Sequence, residues 1–162
     1  MDIVREFVST VFVVKDGKVL LTWNKKVNNW IPIGGHIEKD ELPCGSVIRE
    51  AKEESGLDIE VVCPSDKSKT ANLVQPAHVH LDKIRPDHEH INLTYFGIVK
   101  GGKCLELDDE GKELRWFSRD DLDKEKLMPS VKEWAVEALN RCPSSRCLRS
   151  SLSCRHPRTK RG

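Results

Sequence analysis

The sequence predicts one domain of mixed α and β structure. Two stretches rich in β-branched and aromatic residues, Val4 to Val14 and His88 to Lys100, have the composition and alternation typical of strands. Between them, Pro43 to Gly56 has the start and stop signals of a helix, and a second amphipathic helix follows near residue 130. Strands on both sides of a central helix, with another helix at the end, indicate an α/β fold.

Composition places the chain among ordinary globular proteins. Its 162 residues are enough for a hydrophobic core, and 38% are apolar while 33% are charged. The apolar run Val11 to Val14 is too short for a signal peptide or a membrane span. Six cysteines without a secretory signal indicate reduced thiols, so we expect a cytoplasmic protein with no membrane partner.

Charge is distributed unevenly along the chain. Residues 141–162 contain seven basic residues and no acidic one, so a net charge of +1 leaves −6 on residues 1–140. Pro, Ser, Arg and Cys follow from residue 142 without periodicity, which predicts a domain over residues 1–141 and a basic, disordered tail over residues 142–162. The acidic body argues against nucleic-acid binding outside that tail.

Turn signals divide the chain into its predicted elements. Asp16-Gly17 joins the first strand to a second at Val19 to Trp23, and Trp30 to Ile33 leads into the double glycine Gly34-Gly35. The later predicted elements are a strand at Ile59 to Cys63, a weak strand at Leu73 to Leu81, a turn at Asp82 to Asp87, the strand at His88 to Lys100, a strand at Glu113 to Phe117, a turn capped by Ser118, and a helix opened by Ser130.

Three glutamates share one face of the predicted central helix. Glu50, Glu53 and Glu54 are related as i, i+3 and i+4, and like charges at that spacing oppose helix formation by a few tenths of a kcal/mol per pair. A bound cation removes this penalty, and oxygen ligands without thiolate or imidazole suit Mg²⁺ or Mn²⁺. The alternative is a solvated acidic face, which the glutamates alone do not exclude.

The spacing around these glutamates resembles the Nudix box. Gly35 is followed after five residues by Glu41, then after seven by Arg49-Glu50-Ala51, and then by Glu53-Glu54 and Gly56-Leu57. The family usually has Pro directly before the double glycine, where this chain has Ile33. On this pattern the chain is identified as a member of the MutT-like Nudix hydrolase superfamily. The resemblance implies the Nudix fold, a mixed β-sheet in an α/β/α sandwich.

The resemblance also implies roles for the residues of the box. The box would supply three metal-binding carboxylates, those of Glu50, Glu53 and Glu54, and the carbonyl of Gly35. One further acidic residue would complete the ligands, for which Glu110 is the best match and Glu113 and Glu89 are the substitutes. Glu53 or Glu54 would be the general base, with Glu110 as the rival. Arg49 would hold a glutamate in place, and Glu41 would assist the metals or orient that network.

The substrate contacts are predicted from position. His90 and Asn92 alternate with apolar residues, so they share a polar strand face that can line a cleft, and His36 lies next to Gly35, within reach of phosphate. We therefore predict substrate contacts at His36, His90 and Asn92. The pairs His78-x-His80 and His88-x-His90 also put two imidazoles on one strand face, which fits either a zinc site or polar surface residues.

The implied function is that of a metal-dependent enzyme. It would cleave the phosphoanhydride of a nucleoside diphosphate linked to another group, by water attack at phosphorus, with Mg²⁺ as cofactor and Mn²⁺ as its substitute. The compact domain favours a nucleoside triphosphate or another small nucleotide. ADP-ribose, an ADP-sugar or a dinucleoside polyphosphate is the alternative substrate, and a non-catalytic nucleotide- or RNA-binding module is the alternative class. The expected partner is this nucleotide, and a homodimer is allowed.

Overall fold

The computed structural model describes residues 2–62, 73–105 and 113–142. In these ranges the chain forms eight strands and three helices. The strands are β1 (Val4–Lys15), β2 (Lys18–Asn24), β3 (Asn29–Ile31), β4 (Ile33–His36), β5 (Leu57–Val62), β6 (His78–Arg85), β7 (His88–Gly102) and β8 (Leu114–Phe117). The helices are α1 (Pro43–Ser55), α2 (Arg119–Lys124) and α3 (Pro129–Arg141). No helix in these ranges is long and apolar enough to span a membrane.

All the described strands belong to one mixed sheet. Its main order is β3-β2-β1-β7-β5, with β4 beside β1, β6 beside β7 and β8 beside β2. β1 and β7 are parallel, from Val4 opposite His88 to Val14 opposite Ile98, whereas the other described pairs are antiparallel. These two strands therefore join elements from opposite ends of the sequence at the centre of the sheet.

Helices cover both faces of the sheet. Alternate residues of β1 enter two separate cores. Phe12 lies in the core that includes residues of α2 and α3, whereas Val11 lies in the core that includes residues of α1. This arrangement confirms the predicted α/β/α sandwich with a mixed sheet.

Two predicted elements have different bounds in the structure. The weak strand at Leu73 to Leu81 and the turn after it are replaced by β6, which pairs with β7 from His78 to Arg85 and has a register shift after Lys83. Pairing with a long neighbour extends this strand through residues whose own sequence favours a turn. The last helix begins one residue earlier than predicted, with Pro129 in its first turn and Met128 as the N-cap.

Cys142 is the last residue that the structure describes. This residue belonged to the predicted tail, but its side chain is buried in the core beside α3 and its N–H donates to the carbonyl of Ala138. Burial raises the pKa of the Cys142 thiol to about 12, against a smaller lowering by Arg141. The boundary at residue 141 and the disordered tail remain predictions, because residues 143–162 lie outside the described ranges, as do Cys63 and Glu110.

Candidate active site

Helix α1 carries the glutamates of the box and is fixed to the sheet on its other side. It begins at Pro43 and ends at Gly56, which adopts the left-handed conformation (φ 72°) and donates its N–H to Lys52. Its buried residues are Ser46, Val47, Ala51 and Ser55. The Ser46 hydroxyl bonds that of Ser9 on β1 at 2.8 Å. Because one side of the helix is anchored in this way, the acidic side is held in a fixed direction.

Arg49 is the centre of the carboxylate network. Its guanidinium forms a fork with Glu41, with Nε 3.0 Å from Oε1 and Nη2 2.9 Å from Oε2. Nη1 donates to Glu50 at 2.8 Å and to Glu53 at 3.1 Å, and Nη2 also donates to the carbonyl of His36 at 3.2 Å. The Arg49 guanidinium thus joins three carboxylates to the backbone at the end of β4, and its planar shape allows the bidentate contact with Glu41.

The network shifts the proton equilibria of its members. The hydrogen bond from Arg49 lowers the pKa of Glu41, with burial opposing it and the N–H of Glu38 assisting. The bond with Glu41 is also the largest cause that raises the pKa of Arg49 above its usual value, and Glu50 and Glu53 add to it. The fork between Glu41 and Arg49 therefore favours the charged form of both partners.

The double glycine lets strand β4 approach α1 and β1 closely. A Cβ on Gly35 would lie 2.5 Å from Oε1 of Glu50, and a Cβ on Gly34 would collide with the backbone of Ser9. The N–H of Gly34 donates to Oε2 of Glu54 at 3.3 Å. Gly34 is required by its close approach to the backbone of β1, whereas Gly35 leaves room for the Glu50 carboxylate. Glu50 and Glu54 of α1 thus lie directly against β4.

The donors around Gly35 fit a hard divalent cation. Carboxylates from one helix face and a nearby backbone carbonyl are the oxygen ligands that Mg²⁺ takes. Glu50 and Glu54 are half-buried against the loop, whereas the Glu53 side chain is 59% exposed. Arg49 offsets part of the negative charge of Glu50 and Glu53 through its ion pairs with them. The predicted ligand Glu110 lies outside the described residues.

The three predicted substrate contacts lie on the other face of the sheet. His36 neighbours Gly35 and so points away from α1, where its ring lies 5.0 Å from that of His90. Asn92 is buried, with its amide bonded to Thr10 and Asp82. His36 and His90 are thus together, whereas the side chain of Asn92 is taken up by its bonds to Thr10 and Asp82.

A residue that the sequence did not indicate joins this pair. In the described part of the chain, Glu6, His36 and His90 form a set of three potential metal ligands whose ligand atoms all lie within 4.8 Å of one another. Glu6 was overlooked because only the parallel register of β1 and β7 puts it opposite His90. No local signal in the first strand indicates that pairing.

Comparisons with known proteins identify the family. A family model described as NUDIX domain matches residues 5–138. A solved hydrolase of the NUDIX family from Clostridium perfringens is 35% identical, with a TM-score of 0.77, over 87% of this chain and 100% of that one. The chain belongs to the Nudix hydrolase family. It is accordingly a hydrolase of a family that cleaves nucleoside diphosphates linked to another group and generally uses divalent metal ions.

More distant structures share the fold of this Nudix chain. A MutT NUDIX hydrolase from Burkholderia pseudomallei is 20% identical (TM-score 0.58) over 86% of this chain and 99% of that one. A UDP-X diphosphatase is 16% identical (TM-score 0.59) over 86% and 63%. No curated protein sequence matches the chain. At these identities the two structures support the fold and leave the substrate to chemical argument.

Proposed function

We propose that this Nudix hydrolase cleaves the phosphoanhydride of a nucleoside triphosphate or another small nucleotide by water attack at phosphorus. The observation that carries the proposal is that Glu50, Glu53 and Glu54 share the acidic side of α1, opposite its anchored side, and that Glu50 and Glu54 lie against Gly34 and Gly35 of β4. A phosphoanhydride repels anionic nucleophiles, so its hydrolysis requires neutralised phosphate oxygens and an oriented water. A dense set of carboxylates on a rigid helix provides the ligands for that purpose.

Mg²⁺, or Mn²⁺ in its place, is the proposed cofactor. Glu50, Glu53 and Glu54 would hold it together with the carbonyl of Gly35, and Glu110 is the proposed further ligand. The bound ion would polarise the phosphate oxygens and stabilise the leaving group. Arg49 orients Glu50 and Glu53 through its contacts of 2.8 and 3.1 Å.

Glu53 or Glu54 is the proposed general base. A base must lie within hydrogen-bond reach of the water whose proton it takes. Glu53 is the most exposed carboxylate of the network, at 59% of its side-chain surface, and Glu54 is aimed at the loop by the N–H of Gly34. Glu41 is a positioning residue, because its two oxygens are taken up by the fork with Arg49.

Charge supports a small soluble nucleotide over a nucleic acid. Residues 1–140 carry a net charge of −6, which disfavours association with a phosphate backbone. ADP-ribose, ADP-sugars and dinucleoside polyphosphates share the same anhydride and remain the alternative substrates. A cytoplasmic location is proposed on the basis of the reduced cysteines.

The test is a substrate panel with the full chain and Mg²⁺ or Mn²⁺. Nucleoside triphosphates, ADP-ribose, ADP-sugars and dinucleoside polyphosphates are assayed for phosphate or monophosphate release. We expect turnover that is greatest for nucleoside triphosphates and lost in Glu54→Gln. Glu133→Gln, an exposed glutamate of α3, is the matched control. Binding of nucleotide without turnover of any of them would contradict the proposal and favour a binding module.

A further inference from the structure

Four titratable side chains converge on the face of the sheet opposite α1. Glu6 comes from β1, His36 from β4, and His88 and His90 from β7. The register places Glu6 directly beside His90, and the side chains share one face. None of the four belongs to the Arg49 network, although the carbonyl of His36 touches it.

The atoms of the cluster are separated by distances typical of metal ligands. In a tetrahedral zinc site with bonds of about 2.0 to 2.2 Å, neighbouring ligand atoms lie roughly 3.3 to 3.6 Å apart. Here Oε2 of Glu6 lies 3.3 Å from Nε2 of His36 and 3.9 Å from Nε2 of His90. The three ligand atoms all lie within 4.8 Å of one another. Rotations of exposed side chains are therefore enough to complete the geometry.

The surroundings of the cluster also suit an ion. Nε2 of His88 lies 2.9 Å from Oε2 of Glu6 and 2.9 Å from Nε2 of His90. The contact between the two rings is an N–H···N hydrogen bond, in which one nitrogen donates and the other accepts. When His88 donates to Glu6 instead, the unprotonated nitrogen of His90 is available to an ion. Hydrogen bonds to a ligating carboxylate, such as that from His88, strengthen metal sites.

We propose that Glu6, His36 and His90 bind a divalent transition metal ion of the Zn²⁺ class, with His88 holding the Glu6 carboxylate. Two imidazoles and one carboxylate select such an ion, whereas the all-oxygen set on α1 suits Mg²⁺. The ion would occupy the opposite face of the sheet from the box glutamates. The site is open to solvent, since the side chains of His36 and Glu6 are 58% and 44% exposed.

The sequence predicts His36 and His90 as substrate contacts, whereas the inference makes them metal ligands. These two roles differ in whether the imidazoles need a nucleotide in order to bind. As direct substrate contacts, the imidazoles would affect nucleotide binding and nothing else. As ligands, they bind an ion when no nucleotide is present. The proposal therefore stands even if the proposed substrate is wrong.

The test is a titration of the full chain with Co²⁺, a spectroscopic substitute for Zn²⁺, after removal of bound metal and without nucleotide. With excess Mg²⁺ present to occupy the carboxylates of α1, we expect one equivalent of Co²⁺ with visible absorption and no thiolate charge-transfer band. Cobalt binding should weaken at least tenfold in each of three variants, Glu6→Gln, His90→Asn and His36→Asn. The His36 side chain is exposed, so its replacement should leave the fold intact. His80→Asn, on the same face but outside the set, and Glu53→Gln should leave it unchanged. Thermal melts show that each variant is folded.

Three outcomes would overturn the inference. One is an affinity that the three ligand variants do not change. Another is a thiolate band, which would assign the ion to cysteines. The third is a rise in KM for hydrolysis in His36→Asn with cobalt binding intact, which would make the imidazole a direct substrate contact. Absence of hydrolysis in the unsubstituted chain would count against the proposed function alone, since the titration contains no nucleotide.

Discussion

Arg49 shows what the box requires at the scale of single residues. The sequence predicted that this arginine holds a glutamate, and the structure gives it contacts to Glu41, Glu50 and Glu53. Spacing alone identifies these partners only in part: Glu53 is one turn away on the helix, whereas Glu41 is brought near by the loop. The role of the network in catalysis remains a prediction.

Substitution of the two glycines before α1 should have different effects, one on activity and the other on stability. Gly35→Ala places a methyl group 2.5 Å from Oε1 of Glu50, so that carboxylate must move while the backbone stays. We expect hydrolysis to fall at least tenfold with little change in melting temperature. Gly34→Ala collides with the backbone of Ser9, which cannot move without disturbing β1, so we expect a large loss of stability. Equal melting temperatures for the two variants would contradict this difference.

The fork between Glu41 and Arg49 predicts a pH dependence of stability. The pKa of Glu41 is lower in the folded chain than its usual value of 4.5. The folded state therefore binds fewer protons in this range, and the stabilisation is present above about pH 4.5 and is lost as the pH falls through the folded pKa. The melting-temperature difference between the unsubstituted chain and Glu41→Gln should shrink in acid. With Glu133→Gln no such trend is expected, and a difference independent of pH would refute the assignment.

At the scale of elements, the start of α1 has an unused position for stabilisation. Leu42 is the N-cap, is 48% exposed and offers no side-chain hydrogen bond to the helix. Leu42→Ser should stabilise the fold by about 1 kcal/mol, because serine can accept from a free N–H. That corresponds to roughly 2 to 4 °C in melting temperature. Met128→Ser is the contrasting variant. Met128 is the N-cap of α3 but also packs against the core, so its replacement should lower the melting temperature.

The sequence predicted elements where local signals were strong. Gly56 ended α1 as expected because the left-handed conformation favours glycine, and Asp16-Gly17 marked the first hairpin. β6 was misplaced because its limits depend on pairing with β7 rather than on its own residues. Local chemistry therefore predicted where the chain turns, and tertiary contacts decided how far the strand extends.

At the scale of the whole molecule, the register of β1 and β7 brings together residues whose proximity the sequence does not predict. Glu6 and His90 are 84 residues apart and meet through the parallel pairing of β1 with β7. Long-range pairing of this kind has no local signal, so the cluster around Glu6 could not be predicted. The box could, because its spacing lies within one loop and one helix.

The boundary of the domain is tested by truncation. We expect removal of residues 143–162 to leave melting and hydrolysis unchanged, because that segment lacks apolar periodicity. Removal of residues 141–162 also takes away Cys142, whose buried side chain contributes about 1 kcal/mol, and the contact between Arg141 and Glu137. Its melting temperature should therefore be lower. Identical melting of the two truncated chains would show that the domain already ends before Cys142.

Metal-dependent turnover tests the central claim most directly. The full chain is stripped of metal, assayed with its best nucleotide substrate, and assayed again after Mg²⁺ is restored, beside Glu50→Gln, Glu53→Gln and Glu54→Gln. The account predicts hydrolysis that requires the ion and that falls at least a hundredfold in Glu54→Gln, with Glu133→Gln unaffected. Full turnover in all three box variants, or in the stripped enzyme, would contradict it.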